Sequence, residues 1–154
     1  MKTKSIYALL IFGMLFVACT KDSSKGEFMV NSWQTTYLKI EMPTYQKSDS
    51  VSVYEDKFEN NPDLVAQSTY NLDGTFTSWF LTKEGEKISE SNGKWTVEND
   101  SLYVDFFYNG RNMKVSYLIE ETEEGFTAKS KYDWDEDGDF DDLLTMKTKR
   151  IQLK

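Results

Sequence analysis

From Trp33 to Arg150 apolar residues recur at every second position, in runs separated by Gly, Asn and Asp turn pairs. That period sends alternate side chains to opposite faces of an extended chain, so strands are expected and helices are not. Leu38, Ile40 and Met42 alternate with Lys39 and Glu41. Tyr70 and Leu72 lead to the turn pair Asp73-Gly74, after which Phe76, Ser78 and Phe80 continue one face. Gly85 marks the next turn. Asn92-Gly93 reads as the opening of a strand carrying Trp95 and Val97, and Asn99-Asp100 turns that strand into Leu102, Val104, Phe106 and Tyr108. Asn109-Gly110 is the strongest hairpin signal, because both central residues of a type I′ turn need positive φ. Met113, Val115, Tyr117 and Ile119 run back, and Glu123-Glu124-Gly125 turns into Phe126, Ala128, Ser130 and Tyr132. Leu144, Met146, Thr148 and Arg150 form the last strand.

The pattern amounts to an all-β chain of about eight antiparallel strands, most joined by tight turns. A meander of that length closes into a barrel or leaves edges to protect. Closed, it has an interior just wide enough for packed side chains or one small ligand. Tyr70, Phe76, Phe80, Trp95, Phe106, Tyr108 and Tyr117 are expected to line that interior. They would either surround a small apolar ligand or fill an unliganded core. The segment 43–63 interrupts the pattern and holds both prolines, Pro43 and Pro62. A short strand over 50–55 and a helical turn over 55–60 are expected within it.

Ahead of the strands lies an export segment. Lys2 and Lys4 precede an apolar run from Ile6 to Val17. A run of roughly 12 apolar residues suits a signal peptide, whereas a membrane-spanning helix needs about 20. Leu15-Phe16-Val17-Ala18-Cys19 resembles a bacterial lipobox, with Phe16 where Leu is usual. The resemblance implies cleavage before Cys19, whose thiol carries a diacylglycerol with acyl chains such as palmitate. The expected organisation is a signal peptide over 1–18, a lipidated Cys19 with a flexible tether over 19–30, and a barrel domain over 31–154. Lys21-Asp22 is similar to the charged export signals of surface lipoproteins in the Bacteroidetes. The address implied is a bacterial outer membrane, on its periplasmic or its cell-surface face.

Composition removes several function classes. Loss of residues 1–18 would take the formal charge from −8 to about −10. Such an acidic chain lacks the basic stripe that nucleic-acid binding requires. It is also expected to be repelled by anionic head groups, leaving membrane attachment to the acyl chains on Cys19. Cys19 is the only cysteine and there is no histidine. Disulfides, thiol catalysis and cysteine-type zinc sites are excluded, and so is the commonest general base. No Gly-x-Ser-x-Gly, phosphate loop or dinucleotide fingerprint is present. No catalytic residues and no enzyme activity are expected.

One loop carries concentrated charge. Seven of the ten residues 133–142 are acidic. The spacing Asp133, Asp135, Asp137, Gly138 matches the start of an EF-hand-type calcium loop, with Asp139 offering its carbonyl and Asp141 a carboxylate. The twelfth position is Leu144 rather than a bidentate Glu, with Asp142 an alternative ligand. Oxygen-only ligands in a flexible loop favour calcium over zinc, copper or magnesium. Three readings stay open here: a calcium site, a solvated acidic hairpin that protects the sheet edge, and a protein-docking patch.

The chain resembles the lipocalin-like lipoproteins of the Bacteroidetes, exported domains of the calycin type. The residues that carry this are the lipobox, Trp33, Asp73-Gly74-Thr75-Phe76, Gly93-Lys94-Trp95, and Leu102 with its alternating partners, across roughly 31–154. The resemblance implies that the Trp33 indole packs beneath Arg150 at the closed end of the barrel. Asn31 stands where a Gly is usual, and Trp33 is out of phase with Leu38 and Ile40, so a bulge is required between them. The function implied is a non-catalytic, lipid-anchored binding module for a small apolar ligand. The alternative is a docking lipoprotein with a filled barrel and a calcium-stabilised acidic loop. Trp79, Trp134 and Phe140 would then meet an envelope protein.

Overall fold

Alternation along the chain becomes a wall of nine antiparallel strands in a computed structural model describing residues 23–58, 63–108 and 110–153. The segment 1–18 expected as a signal peptide, the expected lipidation site Cys19, Pro62, and Asn109 of the expected Asn109-Gly110 turn lie outside the described residues. A helix α1 (Ser23–Met29) precedes β1 (Ser32–Met42), β2 (Ser52–Asp56), β3 (Leu64–Tyr70), β4 (Thr75–Thr82) and β5 (Lys87–Glu98). Then follow β6 (Ser101–Tyr108), β7 (Arg111–Glu121), β8 (Phe126–Tyr132) and β9 (Asp142–Ile151). Sequence neighbours pair from β3 to β9, and β1 pairs with β9, closing an eight-stranded antiparallel barrel. Closure satisfies the backbone groups that an open sheet would leave unpaired.

The ninth strand shares a wall position. One edge of β1 pairs with β9; its other edge pairs with β3 over Ser32–Gln34 and with β2 over Leu38–Met42. β2 and β3 therefore share one position in the barrel wall, interrupted between Asp56 and Leu64.

The core gathers at one end. Met29, Trp33 and Leu102 are fully buried there with Phe126, Ala128 and Ile119, and Tyr70 and Phe76 extend the cluster upward. Trp33 makes an edge-on contact with Phe126, centroids 4.9 Å apart, and a tilted one with Phe28 at 5.2 Å. Aromatic pairs of this geometry add about 0.5–1.5 kcal/mol each beyond burial. Trp33 is the direct cross-strand partner of Arg150, whose guanidinium lies 5.3 Å from the Trp33 ring and 5.3 Å from Phe28. A register shift between Thr35 and Tyr37 supplies the bulge that brings Trp33 into phase with Leu38 and Ile40. The tether expected over 19–30 does not persist to residue 30: Ser23–Met29 is helical and its Met29 is fully buried beneath the barrel. The carbonyl of Met29 accepts the Trp33 indole N–H at 3.1 Å, so the helix satisfies the one polar atom of that buried ring.

Several local expectations change. Leu72 is in the turn and 83% exposed, not in the strand. Asn92-Gly93 does not open a strand but sits in the middle of β5. A Cβ on Gly93 would lie 2.2 Å from the Asp105 carbonyl, so glycine is needed for close approach of β6 rather than for a turn. Of the helical turn expected over 55–60, residues 55 and 56 belong to β2 instead, Phe58 is in a 3-10 turn, and 59–60 lie outside the described residues; a further 3-10 turn forms earlier, at Tyr45–Lys47.

Candidate functional site

Burial along the inward face of β6 falls steadily from one end of the barrel to the other. Leu102 is 0% exposed, Val104 4%, Phe106 half-buried and Tyr108 37%. Of the seven residues expected to line the interior, Tyr70 and Phe76 belong to the core, with Trp95, Phe106 and Tyr117 packed against it. Burial pushes the phenols of Tyr70 and Tyr117 above their ordinary range, and Tyr117 adds to the effect on Tyr70 from across the interior. Tyr70, Phe76, Trp95 and Tyr117 fill the lower barrel. Phe80 and Tyr108 instead reach the far end, where Phe80 is half-buried.

That far end is an aromatic mouth. Phe106 bridges the levels, 5.9 Å from Phe76 below and 6.4 Å from Tyr108 above, centroid to centroid. Tyr54 joins from β2, 49% exposed, its hydroxyl donating to Asp56 Oδ2 at 3.4 Å. Burial, the Asp56 carboxylate and, across the mouth, Tyr108 all raise the Tyr54 phenol above its usual range. Tyr54 was not among the expected lining residues, because nothing in the local pattern of 43–63 shows that it rejoins the wall.

The acidic loop folds over the same end, between β8 and β9. Its carboxylates are occupied largely by backbone N–H donors. Asp133 accepts from Asp137 at 3.0 Å and Gly138 at 3.2 Å, and Asp142 Oδ2 accepts from Trp134 at 2.6 Å and Asp135 at 3.1 Å. Asp137 accepts from Asp139 at 2.8 Å. The β1–β2 loop supplies two more donors. Gln46 and Lys47 adopt positive φ of 52° and 58°, which turns consecutive N–H groups toward Asp135 at 2.8 Å and Asp137 at 3.2 Å. Successive N–H groups arranged this way form an anion-binding concavity, which offsets the cost of left-handed backbone at non-glycine residues. Gly138 itself needs its φ of +98°, which lets the loop double back onto Asp133.

Of the five residues expected as metal ligands, the fold brings Asp133 and Asp135 together. The third carboxylate is Asp142, the alternative ligand; one oxygen from each of the three lies within 4.8 Å of the others. Asp137 is buried but committed to Asp139 and Lys47, while Asp139 is exposed and Asp141 sits beside Thr44 at 3.4 Å. Asp142 is 2% exposed, and burial pushes its carboxyl above the usual range, against the two N–H donors that pull it down. Three converging carboxylates can hold a metal ion, and the buried one gains most from a positive charge.

Of the aromatics expected to face a partner, Trp79 is the exception. A register shift between Ser78 and Phe80 accompanies Ser89 at φ 53°. Trp79 ends 3% exposed beneath the Lys87 ammonium, 3.7 Å from its ring, with its indole N–H on Gln67 at 3.1 Å. Trp134 is half-buried and Phe140 is 62% exposed, edge-on to Tyr132 at 5.5 Å.

One surface feature has no counterpart in the sequence reading. Lys129, Lys131, Lys147 and Lys149 all point outward from the adjacent strands β8 and β9. The expectation that the chain lacks a basic stripe holds for its linear sequence but not for its folded surface. No protein family, curated protein or solved structure was found to match the chain.

Proposed function

We propose that this chain is a non-catalytic binding barrel that takes a small apolar ligand at its aromatic mouth. The observation that carries the reading is the exposure gradient along β6, from 0% at Leu102 to 37% at Tyr108. A barrel filled throughout would bury its inward-facing residues at every level. Here one end is packed by Trp33, Phe126 and Met29, whereas Tyr54, Phe80, Phe106 and Tyr108 leave aromatic surface within reach of solvent. Concave apolar lining with a few polar groups at its rim is the usual chemistry of small-molecule recognition.

The anchoring and the metal belong to the same reading. A lipobox ending at Cys19 would hold the barrel on a bacterial outer membrane, as in the lipocalin-like lipoproteins that the sequence resembles. Calcium bound by Asp133, Asp135 and Asp142 would brace the acidic loop over the mouth. Affinity would be weak without a bidentate Glu, on the order of 10⁻⁴–10⁻³ M. The docking alternative retains Phe140 as its exposed aromatic.

Titration with the fluorescent apolar probe N-phenyl-1-naphthylamine tests the ligand site. Saturable one-to-one binding is expected, weakened about tenfold by Tyr108→Asp, since one aromatic contact of this kind is worth roughly 1–1.5 kcal/mol. Tyr103→Asp, on the outward face of the same strand, leaves it unchanged. Equal effects of the two substitutions, or no saturation, would overturn the reading and favour a docking barrel.

A further inference from the structure

Strand pairing assembles a basic face that the chain's net charge of −8 conceals. Lys129 and Lys131 alternate with inward-facing Ala128 and Ser130 on β8; Lys147 and Lys149 alternate with Met146 and Thr148 on β9. The register sets Lys131 opposite Leu143, Lys129 opposite Thr145 and Thr127 opposite Lys147, so the four lysines run as a diagonal row about 20 Å long across the outer wall. Among the described residues, no carboxylate oxygen lies within 4.0 Å of any of the four. Lys147 leans on the Tyr37 ring at 5.5 Å. Glu41 and Glu120 border the patch, and Glu41 is paired to Lys39 at 2.9 Å. Like charges on one sheet face repel each other, and Glu41 and Glu120 offset the four lysines only in part.

Apolar side chains and a groove accompany the charge. Leu118, paired with Lys129, is 58% exposed, and Leu143, paired with Lys131, is 48% exposed. Pairing between β7 and β8 stops at Leu118–Lys129, so the two strands part above that level. A groove of about 620 Å³ opens there, bordered by Leu118, Lys129, Lys131 and Leu143 and reaching Ser130 and Leu144. Ser130 is 6% exposed, and its hydroxyl has no hydrogen-bond partner among the described residues.

We infer that this face of β8 and β9 docks on a bilayer surface rich in anionic head groups. The lysines meet phosphate, Leu118 and Leu143 enter the head-group boundary, and the groove with Ser130 accepts part of a lipid. Basic and apolar side chains interleaved on one face suit such a surface, whereas a purely polar anion would leave the leucines uncovered. The acidic loop of a second copy is a poorer occupant, because Asp133, Asp135, Asp137 and Asp142 already accept backbone N–H groups and Glu136 is paired with Arg111, which leaves Asp139 and Asp141 to meet four lysines. The electrostatic repulsion expected from the sequence applies to the molecule as a whole and not to this face.

Amine-reactive labelling of the full chain, read lysine by lysine by peptide mass spectrometry, tests the inference independently of any other attachment. Vesicles of phosphatidylcholine alone are compared with vesicles containing phosphatidylglycerol. Labelling of Lys129, Lys131, Lys147 and Lys149 is expected to fall at least about threefold on the anionic vesicles only, while Lys83 and Lys94 are unchanged. In parallel, Lys129→Glu with Lys147→Glu lowers the binding preference for anionic vesicles about tenfold or more, and Lys83→Glu with Lys94→Glu does not. Equal labelling on both vesicle types, or equal losses from the two double variants, would overturn the proposal. Protection that grows with protein concentration in the absence of vesicles would overturn it in favour of self-association.

Discussion

The two ends of this barrel are closed by opposite chemistries. At the helix end, Trp33, Phe126, Met29 and Leu102 exclude water by apolar contact, and Arg150 covers the indole from outside. At the mouth end, Met42 and Leu144 are buried as well, and the loops at 44–47 and 133–142 add backbone N–H groups bound to carboxylates. The first arrangement is stable and inert. The second contains buried Asp133, Asp137 and Asp142 beside solvent-accessible aromatics. Under the proposed function, rigidity and recognition would be separated along one short barrel.

The largest effect that distinguishes the ends is expected from large-to-small substitution. Trp33→Ala should lower the unfolding free energy by about 3–5 kcal/mol, while Tyr108→Ala should cost less than about 1 kcal/mol, because its ring is already partly hydrated. Urea denaturation followed by circular dichroism measures both, and similar losses would erase the distinction. Next in size is Asp142→Ala, which leaves the Trp134 and Asp135 N–H groups without their acceptor and should cost about 1–3 kcal/mol. The same substitution should abolish any rise in melting temperature produced by millimolar calcium. Asp139→Ala, at an exposed position, should alter neither.

The smallest effect lies in a turn at the helix end. Hydrogen bonds from the Thr75 hydroxyl and backbone N–H hold the Asp73 carboxyl below its ordinary range. A carboxylate with a lowered folded pKa stabilises the fold above its unfolded pKa, and that contribution is lost as pH falls through the folded value. Asp73→Asn should therefore flatten the stability profile only at pH values below about 4. A difference from wild type that persists unchanged under strong acid would point to a role for Asp73 other than its charge.

Much of the wall was legible because alternation survives in the sequence from Leu102 to Arg150, where each strand has one apolar and one polar face. The Trp33–Arg150 pairing was expected only from the lipocalin-like resemblance; what the residues themselves made legible was the bulge, required by the phase mismatch between Trp33 and Leu38. Other features depend on neighbours distant in sequence. Gly93 looked like a turn residue until β6 was placed against it. Trp79 looked exposed because the irregularity that seats it beneath Lys87 lies on the next strand, around Ser89. The three carboxylates that could hold a metal were legible as a loop but not as a set, because Asp142 converges with Asp133 and Asp135 only through hydrogen bonds from Trp134 and Asp135. The lysine face was invisible, since residues 129–131 and 147–149 become neighbours only through strand pairing.

Native-state hydrogen exchange of the chain, with and without the apolar probe, tests most directly the claim that one end is sealed and the other receives a ligand. The probe should slow exchange in the mouth-end segments 52–56, 80–82 and 106–108, and leave 29–34 and 148–151 as slow as before. Probe-induced protection at the Trp33 end, or none at the mouth, would contradict the account.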